Sequence, residues 1–192
     1  MGKFKFIETG IEGLKIIEPT VFGDERGYFM ETYSERDFAE AGMNMKFVQD
    51  NQSKSRLGVL RGLHFQIKHP QGKLVRALSG TVLDVAVDIR KGSPTFGKYV
   101  SVELTEENKR QFFIPRGFAH GFAVLSTEAV FQYKCDNFYT PESEGALAWD
   151  DPDLGIDWRI PATKVILSEK DRHHPCLKDA CDWFDYNVNL YE

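Results

Sequence analysis

The sequence predicts an all-β fold, a barrel or sandwich of the jelly-roll kind with a few short helices. Three observations carry this: many short apolar or alternating runs bounded by Gly, Pro or Asp, only one well-marked helix start, and no alternation of strands with long helical segments. With 192 residues, 42% hydrophobic and 13% aromatic, the chain has enough apolar material for one sizeable core. A single domain over residues 1–192 is expected, with a C-terminal tail from about residue 173.

In chain order, a strand is expected over 28–33. The spacing then predicts a helix over 35–41, because Ser34 stands three residues before Asp37 as in a capping box and Gly42 can end it. A second strand follows over 47–52. The stretch KLVRALSGTVLDVAVDIR reads as a hairpin: Leu74–Leu78 and the alternating run 82–89 flank Ser79-Gly80, a dipeptide suited to a tight turn. Further strands are expected over 98–104, 111–114, 120–125 and 129–135, and a second helical stretch after Pro175.

Charge and composition exclude several classes of function. A net charge of -5 and a pI near 5.6 argue against a nucleic-acid surface. Cys135, Cys176 and Cys181 have neither even pairing nor metal-knuckle spacing, so free thiols in a reducing cytoplasm are expected. No apolar run approaches the roughly 18 residues of a membrane span, and MGKFKFIETG is not a signal peptide. The reading is a cytoplasmic protein with no membrane partner.

The run GVLRGLHFQ, residues 58–66, sets Arg61 and His64 among residues that otherwise read as buried strand. Burying ionisable groups is costly unless partners or a cavity receive them. On a regular strand these two residues would face opposite sides, but a bulge at Gly62 would turn both toward one pocket. The spacings G-x5-H (Gly58 to His64) and P-x-G-x-x-H (Pro115 to His120) resemble fragments of the two cupin signatures. Metal-binding cupins continue the first as H-x-H with a nearby acid; here the chain reads His64-Phe65-Gln66, and Val124 takes the place of the closing asparagine. A divalent ion needs three or four converging ligands, so no metal is expected.

QDNQSKS (49–55), RGLHFQ (61–66), QGKLVR (71–76), FFIPRGFAHGF (112–122), FQYK (131–134), WDDPDLGIDW (149–158) and SEKD (168–171) occur in one order. With DERGYFMETY at 24–33, they make the chain resemble the dTDP-4-dehydrorhamnose 3,5-epimerase family, metal-free cupin-like enzymes. The resemblance spans nearly the whole chain up to about His173. It implies inversion of C3 and C5 beside the C4 ketone of dTDP-4-dehydro-6-deoxy-D-glucose, without cofactor, as a step of dTDP-L-rhamnose biosynthesis.

The resemblance also implies roles. His64 would be the base, Asp171 its partner, Lys73 the stabiliser of the enolate and Tyr133 the acid on the opposite face. Arg26, Arg61 and His120 would hold the diphosphate. Phe29 and Tyr139 would stack on the thymine, and Glu31, Gln49 and Asn51 would read polar edges. In the family the RGYFME-like strand crosses to a partner subunit, which implies a homodimer in which Arg26, Phe29 and Glu31 act in trans. Read singly, Asp171 is a surface acid in a charged turn, Lys73 a solvated lysine, and Tyr133 a packed core tyrosine. Gln52 departs from relatives that carry histidine there. Three alternatives stay open on sequence: a mono-epimerase on a related 4-keto-6-deoxy sugar nucleotide, a metal-dependent cupin oxygenase, and a non-catalytic sugar-nucleotide binding module.

Overall fold

The structure, a computed structural model, describes residues 3–180 and 183–192. The first strands are β1 (Phe4–Glu8), β2 (Lys15–Pro19), β3 (Val21–Asp24) and β4 (Gly27–Met30), followed by the helix α1 (Glu35–Glu40). Then come β5 (Gln49–Arg56), β6 (Leu60–Gln66), β7 (Lys73–Ser79), β8 (Thr81–Asp88), β9 (Arg90–Lys91) and β10 (Tyr99–Thr105). The remainder are β11 (Gln111–Ile114), β12 (Phe118–Val124), β13 (Glu128–Cys135), β14 (Glu144–Ala146) and β15 (Phe184–Asp185). Two antiparallel sheets dominate, in the orders β1-β2-β11-β7-β13-β5 and β10-β8-β12-β6-β14. This is the cupin-like jelly roll the sequence implied.

The core has three parts. Val75, Phe112, Phe122 and Phe131 fill the space between the sheets together with Val82 and Leu104. Leu63, Phe65, Val85 and Ala123 form the outer face of the five-stranded sheet, covered by Leu147, Leu154, Trp158 and Phe184 from later in the chain. On the other sheet, Phe4, Ile17, Leu74 and Phe113 pack beneath Phe38 of α1. Because later segments cover its outer face, β8 is buried on both faces through Asp88.

Local signals behave as expected in several places. Ser34 caps α1, its hydroxyl accepting from the Asp37 N–H at 3.4 Å. The strand expected over 28–33 stops at Met30, and the helical stretch after Pro175 is a single 3₁₀ turn, Leu177–Asp179. Cys135 and Cys176 are free thiols; Cys181 lies outside the described residues. The tail is docked: β15 pairs in parallel with β9, and the Trp183 and Phe65 rings are 4.6 Å apart.

One expectation is overturned. The segments around Ser79-Gly80 do not form a hairpin, because β7 pairs with β11 and β13 while β8 pairs with β10 and β12. The turn carries the chain from one sheet to the other. Asp84 and Asp88 gave β8 an alternating look, yet both are fully buried and held by partners, Asp84 by His120 and Asp88 by Arg90, Ser93 and Thr95. At the turn, Gly80 has φ +72°, and a Cβ there would lie 2.1 Å from the Glu128 carbonyl oxygen. Gly80→Ala is therefore expected to cost at least about 1–3 kcal/mol, read as a lowered denaturation midpoint.

Candidate active site

Between the sheets opens a cavity of about 540 Å³. Its chemistry begins at β6. From Arg61 to His64 this strand advances three residues while β12 advances only two, from Phe122 to His120, so β6 bulges at Gly62-Leu63. Gly62 makes the close approach possible: a Cβ there would stand 2.6 Å from Gly121 Cα. Leu63 and Phe65 then face the outer apolar layer while Arg61 and His64 line the cavity. The bulge expected at Gly62 is present, and it answers how two ionisable residues fit an apolar strand.

His64 Nε2 lies 2.6 Å from Asp171 Oδ1. Asp171 sits on a 3₁₀ turn, Lys170–Arg172, 107 positions along the chain from His64. The Asp171 side chain is 5% exposed and that of His64 31%, so the acid is sealed behind an imidazole that meets the cavity. Ser168 Oγ donates to Asp171 Oδ2 at 2.9 Å, and His174 Nε2 approaches Oδ1 at 3.4 Å. Burial alone would raise the pKa of Asp171. The His64 hydrogen bond and charge, with bonds from Ser168 and His174, outweigh it and hold the carboxyl below the ordinary carboxylate value. An ionised Asp171 keeps the His64 proton on Nε2, which leaves the Nδ1 lone pair free to accept a proton.

Across the cavity stand β7 and β13 of the other sheet, which bring Lys73 and Tyr133 together: Lys73 Nζ is 6.0 Å from the Tyr133 ring centre. Burial pushes the Lys73 ammonium pKa down, and the nearby acidic groups Cys135, Asp84 and Glu144 oppose that shift. Burial also raises the Tyr133 pKa, reinforced by Cys135 and Tyr139 and opposed by Arg61, so the phenol keeps its proton at neutral pH. Imidazole and phenol thus come from opposite sheets.

The remaining expected residues divide. Asn51, Arg61 and His120 line the cavity. Arg61 is braced by Ser55 Oγ, at 3.1 Å from Nη2. His120 is 7% exposed, and its Nε2 is committed to both oxygens of Asp84 at 2.9 Å, so only its other ring nitrogen is left for a ligand. Gln49 and Tyr139 join Asn51 in a chain: the Gln49 amide donates to Asn51 Oδ1 at 3.1 Å, and the Tyr139 N–H donates to Gln49 Oε1 at 3.0 Å.

Arg26, Phe29 and Glu31 are not brought to this cavity. Arg26 and Phe29 lie on the β3–β4 hairpin, where Arg26 pairs with Asp24 and Phe29 is 66% exposed, and Glu31 just beyond it pairs with Lys3. Sequence reasoning did not single out Asp84, Ser168 or His174. Asp84 meets His120 across 36 positions, whereas Ser168, which opens SEKD, and His174 each reach Asp171 from three residues away.

The cupin metal positions carry other duties. Gln66, at the second histidine position, donates its amide to the carbonyls of His69 and Phe138 and accepts from the Thr140 N–H. Val124 is packed in the core. With His120 bound to Asp84, this set does not fit a cupin metal.

An acid-backed imidazole facing an ammonium and a phenol, in a cavity between two antiparallel sheets, defines a jelly-roll protein equipped to move protons at carbon. The comparisons make this particular. A family model described as dTDP-4-dehydrorhamnose 3,5-epimerase matches residues 8–179, and the chain belongs to that family. The dTDP-4-dehydrorhamnose 3,5-epimerase of Methanothermobacter thermautotrophicus is 54% identical over 180 residues, 93% of this chain and 97% of that protein. The crystal structure of the Elizabethkingia anophelis enzyme of the same name superposes with a TM-score of 0.89 at 59% identity, covering 93% and 98% of the two chains. The dTDP-6-deoxy-D-glucose-3,5-epimerase of Legionella pneumophila, solved in complex with dTDP-4-keto-L-rhamnose, gives a TM-score of 0.93 at 52% identity, covering 96% of this chain and 100% of that one.

Proposed function

We propose that this protein epimerises dTDP-4-dehydro-6-deoxy-D-glucose at C3 and C5, giving dTDP-4-dehydro-L-rhamnose, a step of dTDP-L-rhamnose biosynthesis. The observation that carries this reading is the His64–Asp171 pair at 2.6 Å on one sheet's side of a cavity whose opposite wall holds Lys73 and Tyr133.

Nδ1 of His64 takes the proton from a carbon beside the C4 ketone. The electron pair moves onto the ketone oxygen as an enolate, which the Lys73 ammonium stabilises. Tyr133 then delivers a proton to the other face of that carbon, inverting it. The imidazolium, held by Asp171, and the tyrosinate return to their starting states by exchange with solvent. A second round at the other carbon completes the double inversion. Because burial lowers the Lys73 pKa, the rate should fall on the alkaline side earlier than a free lysine would dictate.

Arg61, with Arg26 and His120, is assigned to the diphosphate; Asn51, Gln49 and Glu31 are assigned to polar edges of the nucleotide, and Phe29 and Tyr139 to the thymine. The β3–β4 hairpin is assigned to a partner subunit's site in a homodimer. Its Val21, Phe22, Tyr28 and Phe29 are 42–66% exposed in the single chain, an apolar edge suited to a second copy. The protein is read as cytoplasmic; among the described residues no helix is long and apolar enough to cross a membrane.

Tyr133→Phe separates enolisation from inversion. It keeps the ring and removes the donor, so the variant should still incorporate solvent deuterium beside the ketone while forming far less dTDP-4-dehydro-L-rhamnose. Parental inversion in this variant would remove Tyr133 from the acid role.

A further inference from the structure

His64, Asp171 and His174 each offer one ligand atom, all within 4.8 Å of one another, beside the cavity; Asp171 Oδ1 lies 2.6 Å from His64 Nε2 and 3.4 Å from His174 Nε2. We propose that these three side chains form an inhibitory site for Zn²⁺ or a similar borderline transition-metal ion, distinct from the cupin positions and sharing only His64 with them. Two imidazoles and a carboxylate are a ligand set that zinc accepts, with water completing the fourth position.

Two of the three ligand–ligand edges are near those of a tetrahedral site. Ligand atoms about 2.0–2.1 Å from zinc stand roughly 3.3 Å apart. The His174 Nε2–Asp171 Oδ1 pair is already at 3.4 Å, and the His64 Nε2–Asp171 Oδ1 pair, at 2.6 Å, has only to open by a small side-chain rotation as the ion replaces the hydrogen bond. The rings stand edge to face at 89°, with centroids 5.9 Å apart. Asp171 is supported as a ligand should be: Ser168 Oγ holds Oδ2, leaving Oδ1 for the ion. Oxygen-seeking Mg²⁺ and Ca²⁺ do not suit this set.

Inhibition follows from the tautomer. Zinc on His64 Nε2 takes the lone pair there, so the neutral ring's one proton moves to Nδ1. That is the nitrogen assigned to accept the substrate proton, and it can no longer do so. The charge of Asp171 is spent on the ion at the same time. This consequence rests on the epimerase reading; the binding itself does not.

The test uses the full chain stripped with a chelator, which should remain fully active. Zinc binding is measured by competition with a chromophoric chelator, and turnover is followed in parallel. The expected result is one Zn²⁺ per chain at micromolar or lower concentration, turnover suppressed by zinc, restored by chelation, and unaffected by equal Mg²⁺. His174→Asn should weaken binding on the order of tenfold or more and move the inhibition by the same factor relative to its own zinc-free rate. His174→Gln serves as a second variant against local misfolding, and His173→Asn, an exposed neighbour paired with Glu169, should bind zinc as the parent does. Absent zinc binding, or undiminished affinity in both His174 variants, overturns the site. Tight binding with unchanged turnover overturns the inhibition while leaving the epimerase reading intact. A chain with no epimerase activity at all would overturn that reading, and the chelator competition would still decide the site.

Discussion

His64→Ala should lower turnover by about 10²–10⁴-fold, the usual contribution of a positioned general base, and should stop deuterium incorporation at both C3 and C5. Nucleotide affinity should change little, because Arg61 and Asn51 stand on their own supports, Ser55 and Gln49. The prediction is sharp because the cavity has a second His–Asp pair. His120 with Asp84 is more deeply buried, and its Nε2 already meets both carboxylate oxygens. Retained exchange in His64→Ala would shift the base to His120. The same variant also removes the main hydrogen-bond donor to Asp171, so the carboxyl pKa should rise toward the value that burial alone favours.

Asp171→Asn should cost roughly three to four orders of magnitude in kcat with little change in affinity. An amide keeps the shape of the carboxylate but cannot neutralise the imidazolium, and it can turn its NH₂ toward Nε2 and so force the opposite tautomer. Either effect leaves Nδ1 a poor base. In the parent the folded-state pKa of Asp171 is depressed, so its stabilising contribution is present above the unfolded carboxylate value and is lost as pH falls through the folded one. Throughout the neutral range Asp171 is thus a carboxylate. Near-parental turnover in Asp171→Asn would return it to a structural role.

Much of this was legible in the sequence, for identifiable reasons. Short alternating runs locate β10, β11, β12 and β13 to within two residues at either end, because period-two patterning is a local signal. The Gly62 bulge was legible because Arg61 and His64 conflicted with a regular strand. The Ser79-Gly80 turn misled for the converse reason: its local chemistry suits a hairpin, but which sheet each strand joins is decided by the core between the sheets. Asp171 could not be paired with His64 from spacing, since a bond across 107 positions leaves no periodic trace. Only the motif resemblance connected them. Asp84 meets His120 across 36 positions and was equally hidden, whereas Ser168 and His174 stand three residues to either side of Asp171 and were passed over because Asp171 itself read as a surface acid.

Double epimerisation is tested most directly by an NMR time course of the parent protein with dTDP-4-dehydro-6-deoxy-D-glucose in deuterated water. Deuterium is expected at both C3 and C5, with accumulation of dTDP-4-dehydro-L-rhamnose inverted at both centres. Exchange and inversion confined to one carbon would contradict double epimerisation. Binding of the nucleotide sugar with no exchange at either carbon would contradict epimerase activity altogether.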